Sequence, residues 1–135
     1  MKVILDTNVF VSGAFFSGPP FQILAAWRES RVQLIISPEI LEEYRRVGKI
    51  LAEDHPGVRF ESILEFVIQN ALLVSSPPLP EGVCADPDDD KFLACALASE
   101  SDIVVSGDRH LLKVNGYQSI EVLKPREFLE QHLFC

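Results

Sequence analysis

Short apolar runs alternate with amphipathic stretches along the whole chain. Val3-Ile4-Leu5, Val32 to Ile36, Ala71 to Val74, Ile103-Val104-Val105 and Ile120-Glu121-Val122 are compact and rich in β-branched residues. They predict five strands, the first of them fully buried. Pro20 is placed to open a helix that runs to about Ser30, after a loop over residues 12–20. Ser37-Pro38 gives an N-cap and a first-turn proline for a helix through about Val47, which Gly48 ends or bends. Phe60, Ile63, Leu64, Val67 and Ile68 have the spacing of an amphipathic helix over 58–70. Lys91 to Ser99 is apolar nearly all round and predicts a helix buried on several sides, and Lys124-Pro125 leads into a last helix with Phe128, Leu129 and Leu133 on one face. Such alternation predicts an α/β fold, a mainly parallel five-stranded sheet with helices on both faces, as one domain over 1–135.

Composition narrows the function. The 135 residues are 47% hydrophobic and 24% charged, an ordinary globular balance that excludes a disordered chain. The longest apolar stretch, Phe92 to Ala98, is far short of the roughly 20 residues that span a bilayer, so no membrane association is expected. Cys84, Cys95 and Cys135 are odd in number and widely spaced, which suits a reducing cytoplasm and offers no zinc framework. A net charge of −8 argues against holding nucleic acid on a broad basic face. It leaves open an enzyme that reaches phosphates through bound cations.

The placement of the acids therefore matters. In parallel sheets ligands gather beyond the carboxyl ends of the strands. Asp6 follows the first strand and Asp108 the fourth; Glu42 and Glu43 lie one turn into the helix after the second; Asp86 to Asp90 precede the buried helix. Capping and the helix dipole alone favour Asp at a helix start, by roughly 0.5–1 kcal/mol each. Glu42 and Glu43 could equally pair with Arg45, Arg46 and Lys49 on a solvated face. Asp6 and Asp108 are harder to explain that way, because a carboxylate directly after a buried strand needs a partner or a shifted pKa. If these acids converge, their repulsion calls for a hard divalent cation, Mg²⁺ or Mn²⁺, and metal-assisted chemistry on a phosphate ester. Asp86-x-Asp88-x-Asp90 is no calcium loop, since Lys91 and Leu97 stand where Gly and Glu are required. His55, His110 and His132 have no metal spacing, and surface or capping roles are expected of them.

Val3 to Ser12, Ser37-Pro38 with Leu41-Glu42-Glu43-Tyr44, Asp86 to Ala94, Val104 to Asp108 and Lys124 to Leu129 resemble, in this order, the motifs of PIN-domain nucleases. The nearest branch is the toxin–antitoxin PIN proteins akin to VapC-type toxins. The resemblance implies a single-strand-specific endoribonuclease dependent on Mg²⁺ or Mn²⁺. It implies Asp6, Glu43, Asp90 and Asp108 as catalytic metal ligands, supported by Asn8 and Ser106, with Asp88 and Asp89 as alternatives to Asp90. Arg45, Arg46, Lys49, Lys91 and Arg109 are the cations best placed in sequence to meet an RNA backbone; surface ion pairs with nearby acids would use the same side chains. An RNA substrate, an antitoxin protein and a homodimer are the expected partners. Phe15, Phe16 and Phe21 offer an apolar patch for a partner, or core residues for this chain itself.

Two rivals stand beside the nuclease. A phospho-signalling receiver domain would explain Lys124-Pro125 but wants an acid after the third strand, where Ser75-Ser76-Pro77-Pro78 follow Val74. A non-catalytic module for RNA or protein would gain nothing from four carboxylates facing a phosphate.

Overall fold

The computed structural model describes residues 1–134; Cys135 lies outside them. The chain runs β1 (Lys2–Leu5), α1 (Thr7–Phe15), α2 (Pro19–Arg28), β2 (Gln33–Ile36), α3 (Pro38–Asp54), α4 (Phe60–Asn70) and β3 (Leu72–Leu73). A 3₁₀ turn (Pro87–Asp89), α5 (Asp90–Ser99), β4 (Ile103–Val105), α6 (Arg109–Leu112), a second 3₁₀ turn (Tyr117–Ser119), β5 (Glu121–Leu123) and α7 (Pro125–Phe128) follow, and α7 continues as a π-helical turn (Leu129–Leu133). The sheet is ordered β3-β2-β1-β4-β5 and every pairing is parallel. Helices cover both faces. Val3, Ile4, Leu5, Leu34, Ile35, Ile36, Val104 and Val105 are all buried, which accounts for strands written as unbroken apolar runs.

Strand order reverses at β1. The chain moves from β1 to β2 and β3 on one side, then returns to β4 on the other, so the carboxyl ends of β1 and β4 flank the crevice where such sheets bind ligands. Their ladder extends one residue further, through the Asp6 N–H donating to the Val105 carbonyl at 2.9 Å.

Two local expectations are corrected. Residues 12–15 belong to α1 and not to a loop, because Val9, Phe10, Val11 and Phe15 bury an apolar helix face directly after β1. Gly48 does not end α3: the helix runs on to Asp54. The ring of Phe60 lies on Gly48, where a Cβ would stand 1.9 Å from Phe60 Cζ. Close approach of α4, worth more than the roughly 1 kcal/mol that an interior glycine costs, selects the residue. Ser37 caps α3 as its sequence predicts, accepting from the Ile40 N–H at 3.3 Å.

Among the described residues no single helix is long and apolar enough to cross a membrane. Of the three phenylalanines, Phe15 is core, while Phe16 and Phe21 are each 49% exposed.

Candidate metal centre at the carboxyl ends of β1 and β4

Asp6 stands at the β1 end, 5% exposed. Ser106, directly after β4, donates its hydroxyl to Asp6 Oδ2 at 2.7 Å, and the same Oγ accepts the Asp108 N–H at 2.9 Å. One serine thus ties together the two strand ends and the two acids that follow them. Asp108 in turn caps α6, with Oδ1 accepting the His110 N–H at 2.7 Å. Burial pushes the Asp6 carboxyl up, against the Ser106 hydroxyl and the Asn8 N–H, which favour its charged form; Asp108 and Glu43 add repulsion. The Asn8 residue itself is exposed.

The acidic run before α5 divides its labour by position. Asp86 caps the 3₁₀ turn, accepting the Asp88 N–H at 3.0 Å. Asp88 pairs with Lys91 at 3.1 Å, and hydrogen bonding to that lysine lowers its pKa. Asp90 accepts the Cys84 N–H at 2.8 Å on one carboxylate oxygen and the Val83 N–H at 3.2 Å on the other. Its side chain therefore pins the preceding loop to the start of α5. A carboxylate oxygen of Asp89, one of Asp108 and a ring nitrogen of His110 all lie within 4.8 Å of one another. Asp89 Oδ2 is buried without a hydrogen-bond partner. Desolvation first, then the charges of Asp108, Asp6 and Asp86, push its pKa up to about 6. Asp89 ends the 3₁₀ turn and Asp90 begins the helix, and their side chains meet different partners.

Glu43 approaches from α3. Tyr44 beside it is fully buried, stacks on Phe10 with ring centroids 4.1 Å apart and donates its hydroxyl to the Leu5 carbonyl at 2.5 Å. That anchor fixes α3 against the end of β1. Glu43 Oε1 accepts the Thr7 hydroxyl; Oε2 accepts Lys91 Nζ at 2.7 Å, with Arg46 at 3.8 Å. Burial opposes the Lys91 ammonium, but its hydrogen bonds to Glu43 and Asp88 outweigh that and raise its pKa. Lys91 is thus held by carboxylates, its side chain 14% exposed, and is not presented to a ligand as a free cation. Arg45 pairs with Glu42 at 3.6 Å, and Arg46, Lys49 and Arg109 are exposed.

His110 was not expected here. Its Nδ1 lies 3.8 Å from Asp108 Oδ1, on α6 immediately after the strand-end acid. The signal was available in Asp108-Arg109-His110, since a residue two beyond a capping Asp folds back over it. His55 instead packs against Phe15 and Phe16, and His132 Nε2 lies 2.8 Å from Glu121 Oε1.

Asp89, Asp108 and His110, with the charge of Asp6 beside them at the switch point of a parallel sheet, define a class of protein: an α/β fold with a carboxylate-rich centre of the kind that suits a divalent cation. Residues 2–110 match the PIN domain family, and the chain belongs to that family. It is also 31% identical to an uncharacterized protein of Methanocaldococcus jannaschii, over a 147-residue alignment covering 97% of this chain and 91% of that protein. PIN domains are generally nucleases, and this membership supports a hydrolase that uses a divalent metal.

Proposed function

We propose that this protein is a Mg²⁺- or Mn²⁺-dependent endoribonuclease that hydrolyses phosphodiester bonds of single-stranded or structured RNA. We further propose that it acts in the cytoplasm as the toxin of a toxin–antitoxin pair. The observation that carries the reading is the unpartnered Asp89 Oδ2, buried among Asp108, His110 and Asp6. A buried carboxylate oxygen facing other acids fits a cation better than any alternative donor, and oxygen ligands suit hard divalent ions.

Asp6, Asp89 and Asp108 would hold the ion, with His110 Nδ1 or Nε2 within reach and Glu43 and Asp90 as further candidate ligands. Once bound, a divalent cation supplies a reactive water and offsets charge on the phosphoryl oxygen. The chain's own residues do the positioning. Ser106 orients Asp6 and Asp108 together, Asp90 fixes the turn that aims Asp89, and Tyr44 and Thr7 hold Glu43 at the rim. Arg45, Arg46, Lys49 and Arg109 are the exposed or partly exposed cations on α3 and after β4 that could meet the phosphate backbone. Their small number against a net charge of −8 implies modest, metal-linked affinity. An antitoxin or a second copy of the chain would find apolar surface at Phe16 and Phe21.

Cleavage of a labelled single-stranded RNA, in chelator and then with Mn²⁺ restored, tests the reading, with Asp89→Asn as the inactive control. Activity that survives chelation, or in Asp89→Asn, would refute it. Tight metal-free RNA binding without cleavage would point instead to a non-catalytic binding module.

A further inference from the structure

We propose that a second cavity, at the amino ends of β1 and β2, binds a phosphomonoester or free phosphate, with the phosphate on Arg28 and Arg31 and any organic group it carries against Phe66 and Trp27. The acidic centre lies at the other end of the sheet, so the two sites are separate. The cavity measures about 290 Å³, at the small end of the roughly 300–1,000 Å³ usual for small-molecule sites. Its lining runs against the sign of the molecule: in a chain of net charge −8 it holds two arginines and no aspartate or glutamate.

Both guanidinium groups have donors to spare. Arg28 makes no ion pair among the described residues, and its guanidinium lies over the Phe66 ring, 5.9 Å from the centroid. Arg31 gives Nη2 to the Leu133 carbonyl at 2.9 Å, while its Nη1 stands 3.9 Å from Glu29 Oε1. That ion pair is long and exposed, and so too weak to hold the guanidinium against a dianion. The end of α2 does not compete either, because its Ala25, Ala26 and Trp27 carbonyls already accept the Glu29, Arg31 and Ser30 N–H groups at 2.9–3.0 Å. Gln33 brings a neutral amide donor to the same lining. Charge selects phosphate over a single carboxylate. Two guanidinium forks match a group that carries about −1.5 to −2 at pH 7 and three acceptor oxygens. The aromatic wall is ready-made: Trp27 meets Phe66 edge-on with centroids 5.0 Å apart, and Phe66 keeps 38% of its surface exposed. Aromatic faces of this kind stack nucleobases.

Trp27 is the chain's only tryptophan, so its fluorescence reports on this cavity. Titrations with inorganic phosphate, AMP and succinate, at low ionic strength and in chelator, keep metal-borne phosphate binding at the acidic centre out of the readout. Saturable binding of phosphate and AMP is expected, weakening as salt is added. AMP bound more tightly than phosphate assigns the ligand to nucleotides; equal affinities assign it to free phosphate. Arg28→Gln should weaken both by about tenfold or more, and Arg28→Gln/Arg31→Gln should abolish them. Arg109→Gln, beside the acidic centre, should change neither affinity. No saturable binding by the wild type, binding undiminished in Arg28→Gln, or succinate bound as tightly as phosphate would overturn the proposal. Arg31→Gln also frees the Leu133 carbonyl, so if circular dichroism shows the double variant unfolded, Arg28→Gln alone decides. The outcome is independent of the nuclease reading, which chelated protein does not test.

Discussion

Replacing Asp89 and Asp90 by asparagine, one at a time, should move the stability of the metal-free protein in opposite directions. Asp89 shares a 4.8 Å group with Asp108, where two full charges would repel by about 3.5 kcal/mol at an effective dielectric of 20. Both side chains are partly exposed, and screening reduces this to on the order of 1 kcal/mol. The folded pKa of Asp89, about 6, lies above its ordinary 3.8. The folded chain therefore holds that proton more tightly, the repulsion is absent below about pH 4, and stability is lost as pH rises toward 6. Asp89→Asn should match the wild type near pH 4 and exceed it by about 1 kcal/mol above pH 7, some 3–5 °C in melting temperature for a chain of this size. Asp90→Asn leaves the Val83 and Cys84 N–H groups facing an amide that offers one acceptor oxygen in place of two. It should lose about 1–2 kcal/mol at pH 7. Saturating Mn²⁺ should stabilise the wild type by about 2.7 kcal/mol at a hundredfold excess over Kd, and Asp89→Asn by much less. Thermal melts in chelator from pH 4 to 8, repeated with Mn²⁺, read all of this. The reasoning fails if Asp89→Asn melts below the wild type in chelator at pH 7.5, or if Asp90→Asn melts above it.

Ser106→Ala removes both the donor to Asp6 and the acceptor of the Asp108 N–H; Mn²⁺ affinity measured by calorimetry should fall 10- to 100-fold, with about 1 kcal/mol lost in apo stability. Tyr44→Phe strands the buried Leu5 carbonyl and should cost about 1–3 kcal/mol in chemical denaturation, with the ring stack on Phe10 retained. Gly48→Ala drives a methyl group into the Phe60 ring and should cost more than 1 kcal/mol despite alanine's better helix propensity, again read by denaturation.

The fold was legible because each strand carries a signal that survives context. Val3-Ile4-Leu5 and Ile103-Val104-Val105 are too short and too apolar to be anything but central parallel strands once helices separate them, and both are buried. Ser37-Pro38 is a local instruction, and the helix starts where it says. The misreadings were tertiary. Ser12-Gly13-Ala14 looks like a loop in isolation, yet Gly13 lies in α1 because Leu24 and the Pro20 carbonyl of α2 pack against it, each within 2.8 Å of where a Cβ would be. Gly48 looks like a stop signal, yet Phe60, twelve residues on, makes it a contact surface. Neither partner can be inferred from the window that contains the glycine.

The acids show the same limit at finer grain. Strand ends place a side chain almost unaided, since the backbone direction is fixed by the ladder; Asp6 and Asp108 follow β1 and β4 and share Ser106 between them, where the strand pattern put them. Asp86-Pro87-Asp88-Asp89-Asp90 carries no such constraint. Five residues that enter a helix through a 3₁₀ turn rotate about 120° per step before the turn and about 100° after it. Neighbouring carboxylates therefore leave on different sides, and a shift of one residue in the helix start exchanges the acid that faces the others for the one that clasps the loop. The start is set by contacts outside the run itself: the nearby Val83 and Cys84 N–H groups that claim Asp90, and the remote Glu43 carboxylate that claims Lys91. Three consecutive aspartates thus take three duties, with Asp88 holding the lysine, Asp89 facing the other acids and Asp90 holding the loop. Chemistry read from residue type finds the cluster, and only the backbone trajectory tells which member of it faces the other acids.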